Sequence, residues 1–161
     1  MSPRQPRAQL STYTCFHLCS HANGSQNLFI TAKDRIKYLQ LFERYRVYHS
    51  LDCFAYCLMD NHTHLLVRCP SVAVLSKAMH RLHVAYAMYF NLKHQRKGHL
   101  FQDRFSSWVI RDEAHIAEAK RYIEENPVAA GLVQEVKDYR WSSARAMGDD
   151  PYVNVCGIKG S

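Results

Sequence analysis

The spacing of apolar residues changes period several times along the chain, and each change marks an element. From Leu10 to Cys19 the run Leu-Ser-Thr-Tyr-Thr-Cys-Phe-His-Leu-Cys is rich in β-branched and aromatic residues and predicts a first strand, ended near Asn23-Gly24. Thr31-Ala-Lys-Asp34 reads as a capping box with Asp in the place usual for Glu or Gln. The helix it opens puts Ile36, Leu39, Phe42, Tyr45 and Tyr48 on one stripe. Two apolar runs within Phe54 to Val67, hinged at Asp60-Asn61, predict a β-hairpin. Pro70-Ser71 starts a second helix with Val72, Leu75, Met79, Leu82, Tyr86 and Tyr89 or Phe90 on its apolar side, and a fourth strand is expected from Leu100 to Ile110. The order strand, helix, strand, strand, helix, strand predicts an α+β domain of the ferredoxin-like, split βαβ kind: an antiparallel sheet with two helices on one face. Asp112 then caps a third helix, Glu113 to Glu125, which Asn126-Pro127 is expected to end.

Strand alternation past the hinge sends His62, His64, Leu66 and Arg68 to one face and Thr63, Leu65, Val67 and Cys69 to the other. If the two helices cover Leu65 and Val67, the histidine face is left open. Two imidazoles whose Cα atoms are roughly 6.6 Å apart can share one metal ion through ring nitrogens at about 2.0–2.2 Å. A pair of solvated histidines is the plainer alternative.

Charge adds a partner class. The chain has a formal charge of +7 with its ten histidines counted as neutral, which favours polyanions. Between Lys93 and Arg111, five cations (Lys93, Arg96, Lys97, Arg104, Arg111) face one acid, Asp103, with Phe101, Phe105 and Trp108 interleaved. Cations for phosphates and aromatic rings for bases are what single-stranded nucleic acid requires; a solvated basic loop leading into a strand with core aromatics is the alternative. No apolar run approaches the ~18 residues of a membrane span, and the first residues lack the apolar core of a secretory signal. The expectation is therefore a cytoplasmic protein with a basic leader over residues 1–9. The six cysteines include two Cys-x3-Cys pairs, but on strands four residues span about 13 Å, so core thiols are expected rather than a shared ion.

Tyr122 and Asn126, four residues apart, share a helical face. A helix carrying a phenol and an amide oxygen over the open sheet face would complete a site begun by two histidines. The competing reading makes Tyr122 a core ring and Asn126 a helix cap.

Four stretches together, Tyr56-Cys-Leu-Met-Asp-Asn-His-Thr-His-Leu-Leu-Val67, Gly98-His-Leu-Phe-Gln-Asp-Arg-Phe105, Arg121-Tyr-Ile-Glu-Glu-Asn-Pro-Val-Ala-Ala-Gly-Leu-Val133 and Tyr139-Arg-Trp-Ser-Ser143, resemble the single-tyrosine transposases of the HUH superfamily, more narrowly the REP-associated tyrosine transposases. The resemblance runs from about Leu10 to Ala146, in family order. It implies that His62 and His64 bind a metal, that Tyr122 is the nucleophile and that Asn126 is a third ligand. It also implies metal-dependent cleavage and rejoining of single-stranded DNA, often beside a folded hairpin, through a 5′-phosphotyrosine with a free 3′-hydroxyl leaving. Thr63 departs from the bulky apolar residue usual between the histidines, and its hydroxyl needs a partner in the core. Two imidazoles and an amide oxygen suit Mg²⁺ or Mn²⁺.

On this reading residues 10–147 form one catalytic domain and 148–161 a tail, the partner is hairpin-containing single-stranded DNA, and the protein is a monomer or homodimer. Charge and aromatic placement nominate Arg68, Lys97 and Arg104 for the DNA backbone and Phe105 or Trp108 for stacking a base, with Tyr139 the next candidate nucleophile. Two rival readings are a non-catalytic nucleic-acid module using the open sheet, which lacks an aromatic, Gly-rich RNP signature, and a zinc hydrolase, for which only Asp60 at the turn offers a carboxylate near the histidines.

Overall fold

The computed structural model describes residues 14–145. The expected leader, the tail, residues Leu10 to Tyr13 of the first strand and Cys156 fall outside the described residues. Four strands, β1 (Cys15–His21), β2 (Asp52–Leu58), β3 (His62–Arg68) and β4 (Ser106–Val109), form one antiparallel sheet in the order β2-β3-β1-β4. Helices α1 (Ala32–Tyr48) and α2 (Val72–Lys93) interrupt them in the split βαβ order expected, and α3 (Glu113–Ala129) follows.

Alternation divides the molecule into two apolar layers. Phe16, Leu18, Tyr56, Leu65 and Val67 join Tyr38, Leu39 and Phe42 of α1 and Leu75, Leu82 and Tyr86 of α2 in the main core. On the opposite face Cys15, Ala55, Cys57, Leu66 and Ile110 pack with Ala119 and Ile123 of α3. The sheet is thus covered on both sides, but the second cover is one helix wide. Thr63 is buried, with its hydroxyl 3.5 Å from that of Tyr38, so the polar atom that sequence placed in the core has a neighbour there.

The capping box forms as expected, with the Asp34 carboxylate accepting from the backbone N–H groups of Ile30 and Thr31. Three expectations are corrected. Tyr48 is 70% exposed, at the last turn of α1 beyond the sheet, where the Arg81 guanidinium lies over its ring. The fourth strand is short: Phe101 makes a single bridge to Ala22, and the Asp103 carboxylate turns the chain by accepting the Arg104 N–H before pairing resumes. Pro127 does not end α3: its missing N–H leaves the Ile123 carbonyl without its intrahelical donor, but Ala130 N–H still reaches Asn126 O at 3.0 Å, and the helix stops at Gly131, whose φ of +73° few other residues adopt. Asn126 therefore lies within the helix rather than at a cap.

The five described cysteines are buried and unbridged. Burial pushes the thiols of Cys15 and Cys69 up to about 11 and those of Cys19 and Cys57 up to about 12. They are apolar filling at neutral pH, as their strand spacing suggested. No helix among the described residues is long and apolar enough to cross a membrane.

Candidate active site

The site is assembled on the α3 face of the two central strands. The register pairs His21 with His62 and Cys19 with His64, so residues of like parity on β1 and β3 project to one side. The His62 and His64 rings stand 4.9 Å apart, edge to face. His21 stacks on His62 at 5.2 Å, and His62 Nδ1 lies 2.7 Å from Asn61 Oδ1. On the other side His17 Nε2 lies 2.9 Å from His64 Nδ1. His64 is 3% exposed, and its Nε2 is buried with no hydrogen-bond partner among the described residues.

α3 supplies the remaining groups. Ala119, Ile123 and Pro127 are its buried positions, which leaves Tyr122 beside the histidines with 43% of its surface exposed. The Tyr122 ring is 5.9 Å from that of His17 and 6.2 Å from that of His64. One turn on, the Asn126 side chain is near enough to the His62 imidazole to oppose the lowering of its pKa. The segment after α3 fixes the helix in place. Leu58 N–H donates to Trp141 O and the Tyr139 hydroxyl to Leu58 O, while Ser143 Oγ lies 2.7 Å from Glu124 Oε1 and accepts the Tyr56 N–H. The β2–β3 turn is held by an ion pair between Asp60 and Arg35, whose guanidinium sits over the rings of Phe29 and Trp141.

Burial holds the imidazoles neutral. It pushes His17 down to about 4 and His64 to about 3, the latter helped by the neighbouring histidines; for His62, burial and His21 lower the value against the opposing effect of the Asn126 side chain. Neutral imidazoles keep a lone pair for a cation, and a buried ring nitrogen with no protein partner is what a ligand position needs. Among the described residues no three His, Cys, Asp or Glu side chains are grouped to hold a metal. Any ion here would rest on His62 and His64 with the Asn126 amide oxygen as the third donor, a set that fits a borderline or hard divalent cation.

The other nominated residues scatter. Arg68 is at the far end of β3, ion-paired at 3.6 Å with Glu113 and lying over Phe54, away from the histidine end. Lys97 is exposed in the loop after α2. Arg104 is exposed and lines, with Lys77, His80, His83 and His99, a cleft of about 690 Å³ between α2 and the segment entering β4. Trp108 is half-buried on the site face, its ring 5.3 Å from His17. Phe105 is 6% exposed and belongs to the main core, because the residue before β4 has the parity that points toward α2; it also lines the cleft beside Arg104. Tyr139 is buried with its hydroxyl given to Leu58, and burial pushes it up to about 12, so it is a structural tie rather than a nucleophile. His17 and His21 were missed in the sequence. The signal was available, since a split βαβ order makes β1 the neighbour of β3 and its His-x3-His spacing keeps both rings on one face.

Residues 12–126 match the model of the family described as transposase IS200-like. The chain belongs to the IS200-like transposase family. A Haemophilus influenzae protein assigned as a REP-associated tyrosine transposase is 32% identical over 119 residues, which cover 68% of this chain and 65% of that protein, so this family member spans about two thirds of the relative's length. A solved structure of a REP-associated tyrosine transposase bound to a REP hairpin superposes with a TM-score of 0.73, covering 100% of this chain and 95% of that one at 17% identity, which shows a shared fold.

Proposed function

We propose that this family member cleaves and rejoins single-stranded DNA through a covalent bond between Tyr122 and a 5′-phosphate. The observation that carries the reading is the Tyr122 phenol standing, within one chain, beside two neutral imidazoles on the same side of β3, one of them with a buried nitrogen that has no partner among the described residues. His62, His64 and Asn126 would hold Mg²⁺ or Mn²⁺. Such an ion, when bound, neutralises phosphoryl charge and orients the scissile bond. Tyr122 Oη attacks phosphorus in line with the departing 3′-oxygen; the P–O3′ bond breaks as the O–P bond forms, the phenol loses its proton and the leaving oxygen gains one. Attack by a 3′-hydroxyl on the phosphotyrosine reverses the step and frees the phenol. Supply of Tyr122 in cis, from the helix packed on its own sheet, is part of this proposal.

The hairpin-bound state of the matched structure supports hairpin-containing DNA as the substrate class. The cationic cleft of Lys77 and Arg104, with Lys97 nearby in sequence, offers sites for backbone phosphates; Trp108 offers a ring for a base on the site face. The α3 cover over the histidine face argues against a purely binding, open-sheet module, whose platform would be that face.

The test is incubation of single-stranded hairpin oligonucleotides with Mn²⁺, followed by denaturing gels. Wild-type protein is expected to give a protein–DNA adduct that EDTA prevents, and Tyr122→Phe to give none while retaining DNA affinity within about threefold. An adduct formed by Tyr122→Phe would refute the assignment.

A further inference from the structure

A hydrogen bond between two imidazole nitrogens holds one proton, and which ring supplies it decides what the far nitrogens can do. His17 Nε2 and His64 Nδ1 are 2.9 Å apart, so one donates to the other. If His17 donated, the His64 proton would lie on Nε2, a buried N–H with no partner, at a cost of about 1–3 kcal/mol. If His64 donates from Nδ1, its buried Nε2 carries a bare lone pair, and the His17 proton moves to Nδ1. That atom is not among the buried nitrogens left without a partner, so this second arrangement leaves no N–H stranded.

We infer that His17 is a positioning residue: by accepting the His64 Nδ1–H it fixes His64 in the tautomer whose Nε2 is free to ligate a divalent cation. The assignment rests on reading His62 and His64 as the cation's ligands. In water the neutral imidazole prefers its proton on Nε2, the form that cannot bind a cation through that atom, so an acceptor at Nδ1 is needed to reverse the preference. Metal-binding histidines commonly donate their second N–H to a carboxylate, carbonyl or water; here the acceptor is another imidazole, delivered by the adjoining strand. Packing holds the acceptor in turn. His17 is 4% exposed, between the Trp108 ring at 5.3 Å and the Tyr122 ring at 5.9 Å, so the residue that orients His64 also borders the nucleophile.

The tautomer is read directly in long-range ¹H–¹⁵N spectra of the metal-free protein. His64 is expected in the Nδ1–H form in the wild type and in His17→Gln, whose amide oxygen can accept. In His17→Phe, which keeps an aromatic ring without an acceptor, it is expected to revert to Nε2–H. Mn²⁺ affinity, followed by electron paramagnetic resonance, is expected to fall about 10–100-fold in His17→Phe and to recover in His17→Gln. An Nε2–H wild-type spectrum, or a His17→Phe spectrum still showing Nδ1–H, overturns the inference; the wild-type spectrum alone decides should a variant not fold. Mn²⁺ binding unchanged in His62→Ala and His64→Ala would instead overturn the cation reading, whichever tautomer is found.

Discussion

Replacing Asp34 by alanine should cost about 3 kcal/mol of stability, although Asp34 is remote from the proposed chemistry. Its carboxylate is fully buried and accepts from the N–H groups of Ile30 and Thr31 at 2.9 Å, from Lys93 Nζ at 2.7 Å, from His94 Nε2 at 3.0 Å and from the Tyr89 hydroxyl at 3.2 Å. One side chain thus clamps the start of α1 to the end of α2. Breaking a buried charged pair costs about 3–5 kcal/mol, and loss of a helix cap about 1 kcal/mol. These overlap, and the Lys93 side chain keeps 29% of its surface in water, so the low end applies. Against a typical domain stability of about 5–15 kcal/mol the loss is large. Urea denaturation followed by circular dichroism at pH 7 measures it, with the midpoint falling and the slope unchanged. The pH dependence checks the cause. Burial alone would raise the Asp34 carboxyl, but Lys93, the two N–H groups and His94 together hold it well below the usual carboxylate range. A depressed folded value means the stabilisation is complete above the unfolded value of ~3.9 and is lost as pH falls below it. The gap between wild type and Asp34→Ala should therefore narrow below about pH 4. A deficit under about 1 kcal/mol at pH 7, or one that widens in acid, would refute the clamp.

The two aromatic candidates separate by assay. Trp108→Ala should weaken single-stranded DNA binding by about 1–3 kcal/mol in a fluorescence titration, whereas Phe105→Ala should instead lower unfolding stability by about 3–5 kcal/mol. Lys77→Gln and Arg104→Gln should each reduce the slope of log K against log salt for hairpin DNA by about 0.7–0.9; unchanged slopes would remove the cleft from the DNA path.

Period and punctuation made the split βαβ order readable, because every switch between strand and helix spacing coincided with a turn or cap residue. Alternation alone placed His62 and His64 on the face away from α1 and α2. What it could not show was distance. Whether Tyr122 reaches that face depends on where α3 lands, and the small apolar patch of Ala119, Ile123 and Pro127 is too short to fix a docking site from sequence. The extent of β4 was misjudged because apolar Leu100 and Phe105 look like strand residues, yet both serve the main core from irregular backbone. His17 escaped notice because its hydrogen bond to His64 runs across strands, to a partner 47 residues away.

The two halves of the site are held by different physics. His62 and His64 sit on a strand hydrogen-bonded on both sides, so neither ring can move without breaking a ladder or slipping its register, and a one-residue slip would turn both toward the main core. Tyr122 rides on a helix with a small buried patch, tied down by the Tyr139–Ser143 segment. On the proposed function, cation binding needs donor positions constant to a fraction of an ångström, which the central strands supply. A nucleophile that is to carry a DNA strand and later release it needs solvent access, which a half-exposed ring on the outer layer supplies. Under that proposal, donors in the sheet and a phenol on the helix let one domain satisfy both demands.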